Sequence, residues 1–192
     1  MAEKVKIYFF LIIFFAIFNA CSTAVKKPAF TLNKKTQSPS ESVYKILEET
    51  VPDTSKKYFG KGFKLGANPD KSGYSDCSNL ICAITRNSLT GSNFNFKPVY
   101  LPTPNLKENS YPVKRSDLKI GDMVFFIKSK GNNKINHAGI IIQIEPAKLS
   151  FIHASTSKGV IVTSTDSDSW NYYWKERFSS FRRWNKKVFV GK

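Results

Sequence analysis

The stretch Asp76-Cys77-Ser78-Asn79-Leu80-Ile81-Cys82-Ala83-Ile84 ends a run of loop-forming residues and begins a helix. Upstream, Gly60, Gly62, Gly66, Pro69 and Gly73 make residues 56–75 a region of loops. Cys77, Leu80, Ile81 and Ile84 then fall on one face of a helical repeat. Asp76 has the short acceptor side chain that caps a first turn. Further upstream, Ser38-Pro39-Ser40-Glu41 is a helix-start signature: a capping serine, a proline suited to the first turn and an acid able to reach back. Val43, Ile46, Leu47 and Thr50 follow at helical spacing, and Pro52 is expected to stop this helix near residue 50. Residues 92–117 hold Pro98, Pro102, Pro104 and Pro112 and are expected to be irregular.

From Leu118 the period changes. Residues 123–127, 137–144, 149–155 and 160–164 are rich in Ile, Val and Phe and read as strands. Lys130-Gly131-Asn132-Asn133, Glu145-Pro146-Ala147-Lys148 and Ser157-Lys158-Gly159 separate them as short turns, which makes the pairings antiparallel. The aromatic and basic tail from Trp170 to Trp184 is expected to close the sheet with a last strand. Helices followed by a run of strands make the class α+β, N-terminal helices packed on an antiparallel sheet with Cys77 at a helix N-terminus.

Composition narrows the function. A chain of 192 residues, 41% of them apolar, suits one ordinary domain with a sizeable core. A formal net charge of +16 excludes an acidic cation-storing protein and leaves nucleic acid, anionic lipid or an anionic cell-wall polymer as electrostatic partners. Three cysteines and two histidines are too few for a zinc ribbon or finger, and neither a metal nor an organic cofactor is implied.

The N-terminus sets the compartment. Lys4 and Lys6 precede an unbroken apolar run from Ile7 to Phe18, shorter than the ~20 residues that a membrane-spanning helix needs. A basic start, a short greasy run and small residues at its end read as an export signal over residues 1–20. Phe18-Asn19-Ala20-Cys21 resembles the lipobox of bacterial lipoproteins, with Phe where Leu is usual. That resemblance implies lipidation of Cys21 and a membrane anchor, on the outer membrane facing the periplasm in a Gram-negative cell. Export removes cytosolic nucleic acid from the partners. Residues 21–37 read as a flexible tether and residues 38–192 as the folded domain.

With Cys21 lipidated, Cys77 and Cys82 remain. Five helical steps turn their side chains about 140° apart, so they do not bridge. An exported protein that keeps two unpaired thiols is unusual. Cys82, between Ile81 and Ala83, reads as a small core residue. Cys77 reads either as core or as a nucleophile whose thiolate is favoured by the positive end of the helix. His137 and His153 each read as core histidines taken singly. They nevertheless fall on neighbouring strands joined by one short turn, against which the helix presents Cys77. A thiol, an imidazole to take its proton and a second polar group to orient that imidazole are what thiol catalysis requires.

These residues resemble NlpC-type cysteine peptidases, the bacterial cell-wall endopeptidases. Residues 74–81 are similar to the family's Asp-Cys-Ser-Gly-Leu-Val motif, residues 118–126 to its Gly-Asp-Leu-Val-Phe-Phe strand and residues 135–140 to its His-Val-Gly-Ile strand. Phe151-Ile152-His153-Ala154-Ser155 is similar to the strand carrying its third catalytic residue, and Tyr173-Trp174 through Arg182-Arg183 to its C-terminal segment. The resemblance covers roughly residues 58–184. It implies a papain-like fold with Cys77 as nucleophile, His137 as general base and His153 as the residue that orients it. It implies that Asp76 and Ser78 grip the free amine of a peptidoglycan stem peptide. It also implies hydrolysis of the bond between D-γ-glutamate and a diamino acid.

Two departures stand out. Asn79 replaces the family's Gly. Phe63 stands where a tyrosine hydroxyl is expected to meet the substrate amine, and Tyr58 or Tyr74 is the expected substitute. The added lengths around residues 92–112 and 128–134 are expected to shape or cover the cleft. Two other readings stay open: a papain-like amidase or acyltransferase acting on a non-peptidoglycan amide, and a non-catalytic wall-binding lipoprotein.

Overall fold

The computed structural model describes residues 39–192, within a compact unit that spans Thr36–Lys192. The expected export signal, the expected lipidation site Cys21, the expected tether and the capping Ser38 all lie outside the described residues.

Helix α1 runs Pro39–Lys56. It continues through Pro52 instead of stopping there. A proline inside a helix removes one hydrogen bond and costs about 3 kcal/mol. Burial on both sides of Pro52 offsets that cost: Val51 is 0% exposed, and Thr54, Ser55 and Tyr58 are buried after it. Two short parallel strands follow, β1 (Gly62–Phe63) and β2 (Tyr74–Ser75). Helix α2 spans Cys77–Ser88, and its stripe Leu80, Ile81 and Ile84 is buried, as the periodicity indicates. The proline-rich stretch is more ordered than its composition suggests. It holds β3 (Phe94–Phe96), a short helix α3 (Thr103–Glu108) and β4 (Ser110–Val113).

The strands after Leu118 are β5 (Met123–Ser129), β6 (Asn132–Ile144), β7 (Leu149–Ser155) and β8 (Gly159–Ser164). The tail supplies β9 (Phe178–Trp184) and β10 (Phe189–Gly191). One six-stranded sheet has the order β4-β9-β5-β6-β7-β8, antiparallel throughout. The tail therefore does not close the sheet at an edge: β9 is inserted between β4 and β5.

Both faces of the central strands are covered, so they read as continuous apolar runs instead of alternating ones. On one face Met123, Phe125, Ala138, Ile140, Ile152 and Ala154 join Val43, Leu47, Leu80 and Ile84 of the helices in the main core. On the other, Val124, Phe126 and Phe151 pack beneath Trp170, Trp174 and Phe181. Each fully buried side chain of this size contributes roughly 1.5–3 kcal/mol.

Polar ties fix the layers. Arg183 on β9 donates to both oxygens of buried Asp122, Nε to Oδ1 at 2.7 Å and Nη2 to Oδ2 at 2.8 Å. Arg182 donates to Ser110 of β4 at Oγ and at the carbonyl oxygen. The Gly121-Asp122 and Arg182-Arg183 motifs are thus two halves of one structural bridge. Gly139 on β6 allows β7 to approach closely: a Cβ there meets Phe151 Cδ2 at 2.8 Å and the Ile152 carbonyl oxygen at 2.9 Å.

Candidate active site

Asp76 caps α2 in an extended conformation, φ −100° and ψ 173°, and its Oδ1 accepts the Asn79 backbone N–H at 2.7 Å. The same carboxylate accepts the Ser78 hydroxyl at 3.0 Å, while Oδ2 accepts the Gly66 N–H at 2.8 Å and reaches Asn79 Nδ2 at 3.5 Å. Asn79 is accommodated without difficulty, because its side chain joins the cap. Asp76 is thereby buried and satisfied, and it ties the loop at Gly66 to the helix start.

Cys77 is 8% exposed at the first turn of α2. Its Sγ lies 3.6 Å from Thr103 Oγ1 at the start of α3. Burial pushes the thiol pKa up and the Asp76 charge adds to this. Thr103 and the backbone amides of Ala138 and Ser78 pull it down by less. Burial is thus the largest influence on this thiol, and it acts against the preference for a thiolate at a helix start.

The imidazoles of His137 and His153 meet through His137 Nε2 and His153 Nδ1 at 3.0 Å. Buried His153 has its other nitrogen 2.9 Å from Thr163 Oγ1 on β8. Trp174 stacks on His137, with ring centroids 4.9 Å apart and planes at 25°, and stands edge-on to His153 at 4.8 Å. Desolvation pushes the His137 pKa down to about 4. It also drives His153 well below the usual imidazole value, with the His137 charge acting in the same direction. Thiol and imidazole are both neutral at rest.

Neutral rings leave one useful tautomer. With His153 Nε2–H donating to Thr163, His153 Nδ1 accepts from His137 Nε2–H, and the lone pair of His137 Nδ1 is free to take a proton. Among the described residues no three His, Cys, Asp or Glu side chains converge to hold a metal ion.

Cys77, His137, His153, Asp76, Ser78 and Phe63 all line one cavity of about 950 Å³. Tyr58 and Tyr74 do not. The Tyr58 hydroxyl is spent below the loop, donating to Asp70 Oδ1 at 2.6 Å and accepting from Asn87, and Tyr74 lies exposed with its ring over Gly62. Neither replaces the hydroxyl missing at Phe63. The tyrosines on the lining are Tyr100 and Tyr173. Sequence reasoning also missed Thr103, Thr163, Trp174 and Arg177. A helix-start signal was present for the first, in Pro102-Thr103-Pro104. Thr163 carries no local signal, since its position is set by pairing with Phe151 across β7 and β8. Both segments of added length reach the cleft, through Tyr100, Pro102, Thr103 and Pro104 and through Lys134.

Comparison with known proteins bears on the family and the fold. The profile of the NlpC/P60 family matches residues 60–183. The chain is 30% identical over 139 residues to the protein named murein DD-endopeptidase MepS/murein LD-carboxypeptidase of Escherichia coli K12, covering 71% of this chain and 63% of that one. It is 32% identical over 110 residues to the probable endopeptidase NlpC of the same strain, covering 56% of this chain and 60% of that one. The chain thus spans about three-fifths of the length of these relatives. A crystal structure of an NlpC/P60 family protein from Bacillus cereus superposes with a TM-score of 0.53 at 19% identity, covering 71% of this chain and 40% of that one. That likeness concerns the fold.

Proposed function

The chain belongs to the NlpC/P60 family, and on that premise we propose that it is a cysteine peptidase that cuts the peptide part of peptidoglycan. The observation that carries this reading is the cavity in which Cys77, at a helix N-terminus, shares one wall system with the His137–His153–Thr163 chain. In the proposed mechanism His137 Nδ1 takes the Cys77 proton as the thiolate attacks the scissile carbonyl. The Cys77 backbone N–H, at the first turn of α2, donates to the developing oxyanion. His137 then gives its proton to the leaving amine, and a thioester remains on Cys77. Water activated by His137 cleaves that thioester and restores the thiol. His153 and Thr163 hold the imidazole in the tautomer this sequence needs.

The bond expected from the family resemblance is that between D-γ-glutamate and the diamino acid. A second reading, the D,D cross-link between D-alanine and the diamino acid, is favoured by a specific observation. Among the described residues no tyrosine hydroxyl hydrogen-bonds to Asp76 or Ser78, and the Asp76 oxygens are already engaged by Ser78, Asn79 and Gly66. The relative named murein DD-endopeptidase is in line with it. The test is digestion of purified peptidoglycan by the full protein beside Cys77→Ala, with products read by mass spectrometry. New γ-glutamyl carboxyl ends support the first bond, and loss of cross-linked dimers supports the second. Muropeptides left whole by both proteins would overturn the peptidase reading and favour another amide substrate or a wall-binding role.

The cellular setting is part of the proposal. Cys21 carries the lipid anchor and holds the domain at the envelope membrane, within reach of the wall. A mass shift of the mature N-terminus that vanishes in Cys21→Ala is the expected result, and an unmodified Cys21 in the mature protein would refute the anchor.

A further inference from the structure

One charged surface plays no part in the catalytic cavity. Strands β3 and β10 form an antiparallel ribbon outside the main sheet, with Phe96 opposite Phe189 and Asn95 opposite Val190. Alternate residues of such a ribbon face opposite sides. Phe96 and Phe189 turn inward, against Trp184 and Tyr44. Asn95, Lys97, Val190 and Lys192 are exposed on the other side. Lys186 and Lys187, in the helical turn Lys186–Val188 that leads into β10, add two more exposed amines. Among the described residues none of these four lysines has a carboxylate partner. Neither residues 89–97 nor residues 184–192 include an acidic side chain.

This end of the domain is also where the chain enters it. The Tyr44 hydroxyl of α1 donates to the Trp184 carbonyl oxygen at 2.7 Å, and its ring stands edge-on to Phe189 at 6.1 Å. Ser42 and Ile46 share a surface hollow with Gly91, Ser92, Asn93 and Phe94. The first turn of α1 brings one acid here, Glu41. From Pro39 back to Cys21 the chain spans at most about 65 Å. The catalytic cavity lies the other way. Ser92 Oγ donates to the Leu89 carbonyl oxygen just past the C-terminal end of α2, whereas Cys77 opens that helix, roughly 16 Å back along its axis. None of residues 89–97 or 184–192 lines the cavity. The family match ends at residue 183, so β10 and Lys186, Lys187 and Lys192 belong to chain beyond it.

Resting on the membrane-anchor reading above, we propose that the outward face of the β3–β10 ribbon docks on the anionic lipid surface that holds the anchor, and so turns the catalytic cavity toward the wall. Charge complementarity selects the partner: four lysines with no acid among them on their own segments match a layer of phosphate headgroups. Such attraction fades within about 10 Å at moderate salt, so it acts on the face held nearest the bilayer. The ribbon, beside the entering chain, is that face. An anionic wall polymer would meet lysines anywhere on the surface and gives no reason for them to gather where the chain enters. Lys134 and Lys158 line the cavity and are expected to stay in solvent when the ribbon is docked.

The test places the full protein in vesicles of phosphatidylcholine alone or mixed with phosphatidylglycerol. Lysine amines are labelled at low salt, and mass spectrometry reads the rate at each site. The expected result is that Lys97, Lys186, Lys187 and Lys192 label at least about fivefold more slowly on the anionic vesicles, the factor that one such lysine supplies. High salt shrinks that difference, and Lys134 and Lys158 label alike on both. In the triple variant Lys97→Gln, Lys186→Gln, Lys187→Gln, the remaining Lys192 returns to its phosphatidylcholine rate, while cleavage of a soluble stem peptide is unchanged. Equal labelling of the ribbon on both vesicles, or equal slowing that includes Lys134 and Lys158, would overturn the docking face. Stronger slowing by a soluble polyglycerol phosphate than by anionic lipid would assign the lysines to a wall polymer and overturn it too. The N-terminal peptide of the same samples reads the anchor by its mass. An unmodified Cys21 beside slowed ribbon lysines would refute the anchor and leave the docking face, and a lipidated Cys21 beside unslowed lysines would do the reverse.

Discussion

Thr163→Val is the sharpest probe of the imidazole chain. Thr163 is 2% exposed, and its hydroxyl lies 2.9 Å from His153 Nε2. Valine keeps the branched shape and removes the acceptor. His153 then has two choices. It can keep its proton on Nε2, buried without a partner, at a cost of about 1–3 kcal/mol. Or it can move the proton to Nδ1, donate to His137 Nε2 and force the His137 proton onto Nδ1, the nitrogen that must accept the thiol proton. Either way the productive tautomer becomes less favourable by the same order. The expected fall in kcat is roughly 5- to 150-fold, with KM little changed. The assay is steady-state cleavage of a stem peptide beside a thermal melt, with Thr163→Ser as the control that restores the acceptor. A Thr163→Val protein that melts lower but turns over at the original kcat would refute the tautomer argument and leave Thr163 a packing residue.

Other expectations follow from the same geometry. Arg183→Met strands buried Asp122 without its partner and is expected to cost about 3–5 kcal/mol in denaturant unfolding; a loss below 1 kcal/mol would contradict the bridge. Gly139→Ala drives a methyl group against Phe151 and the Ile152 carbonyl oxygen, and should cost about 1–3 kcal/mol while displacing His153; a variant of full stability and activity would show that β6 and β7 have room to part. His137 has a folded pKa of about 4, below the imidazole's usual 6.5, so the unfolded chain binds more protons in acid. Its contribution to stability is whole above pH 6.5 and is lost as pH falls toward 4, and the acid limb of kcat/KM is expected near 4; a limb at 6.5 would show a solvated imidazole. Tyr58→Phe removes the hydrogen bonds to Asp70 and Asn87 and should cost about 1 kcal/mol with kcat/KM unchanged; a KM raised tenfold would put the hydroxyl back in substrate binding.

Several parts of this architecture were legible in residues alone, because they obey local rules. The α2 stripe and the Asp76 cap follow from helical period and one short acceptor. The β5 to β8 hairpins follow from strand-forming runs between short turns, and they were enough to put His137 beside His153. The Pro52 expectation failed where a local rule met a tertiary one. Burial of Val51, Thr54, Ser55 and Tyr58 sustains the helix that proline alone would end. The aromatic and basic tail predicts a last strand, but its place between β4 and β5 depends on Arg182 and Arg183 finding Ser110 and Asp122.

By itself, then, the sequence determined the α+β class, the hairpin order, the thiol at a helix start and the pair of histidines, since each is encoded in period, turn chemistry or the scarcity of a residue type. The tertiary structure alone decided which groups surround them. Thr103 reaches the thiol from α3, Thr163 the second imidazole from β8, and Trp174 and Arg177 the far wall from the tail. It also decided that the thiol pKa is raised, because desolvation is a property of the packed interior.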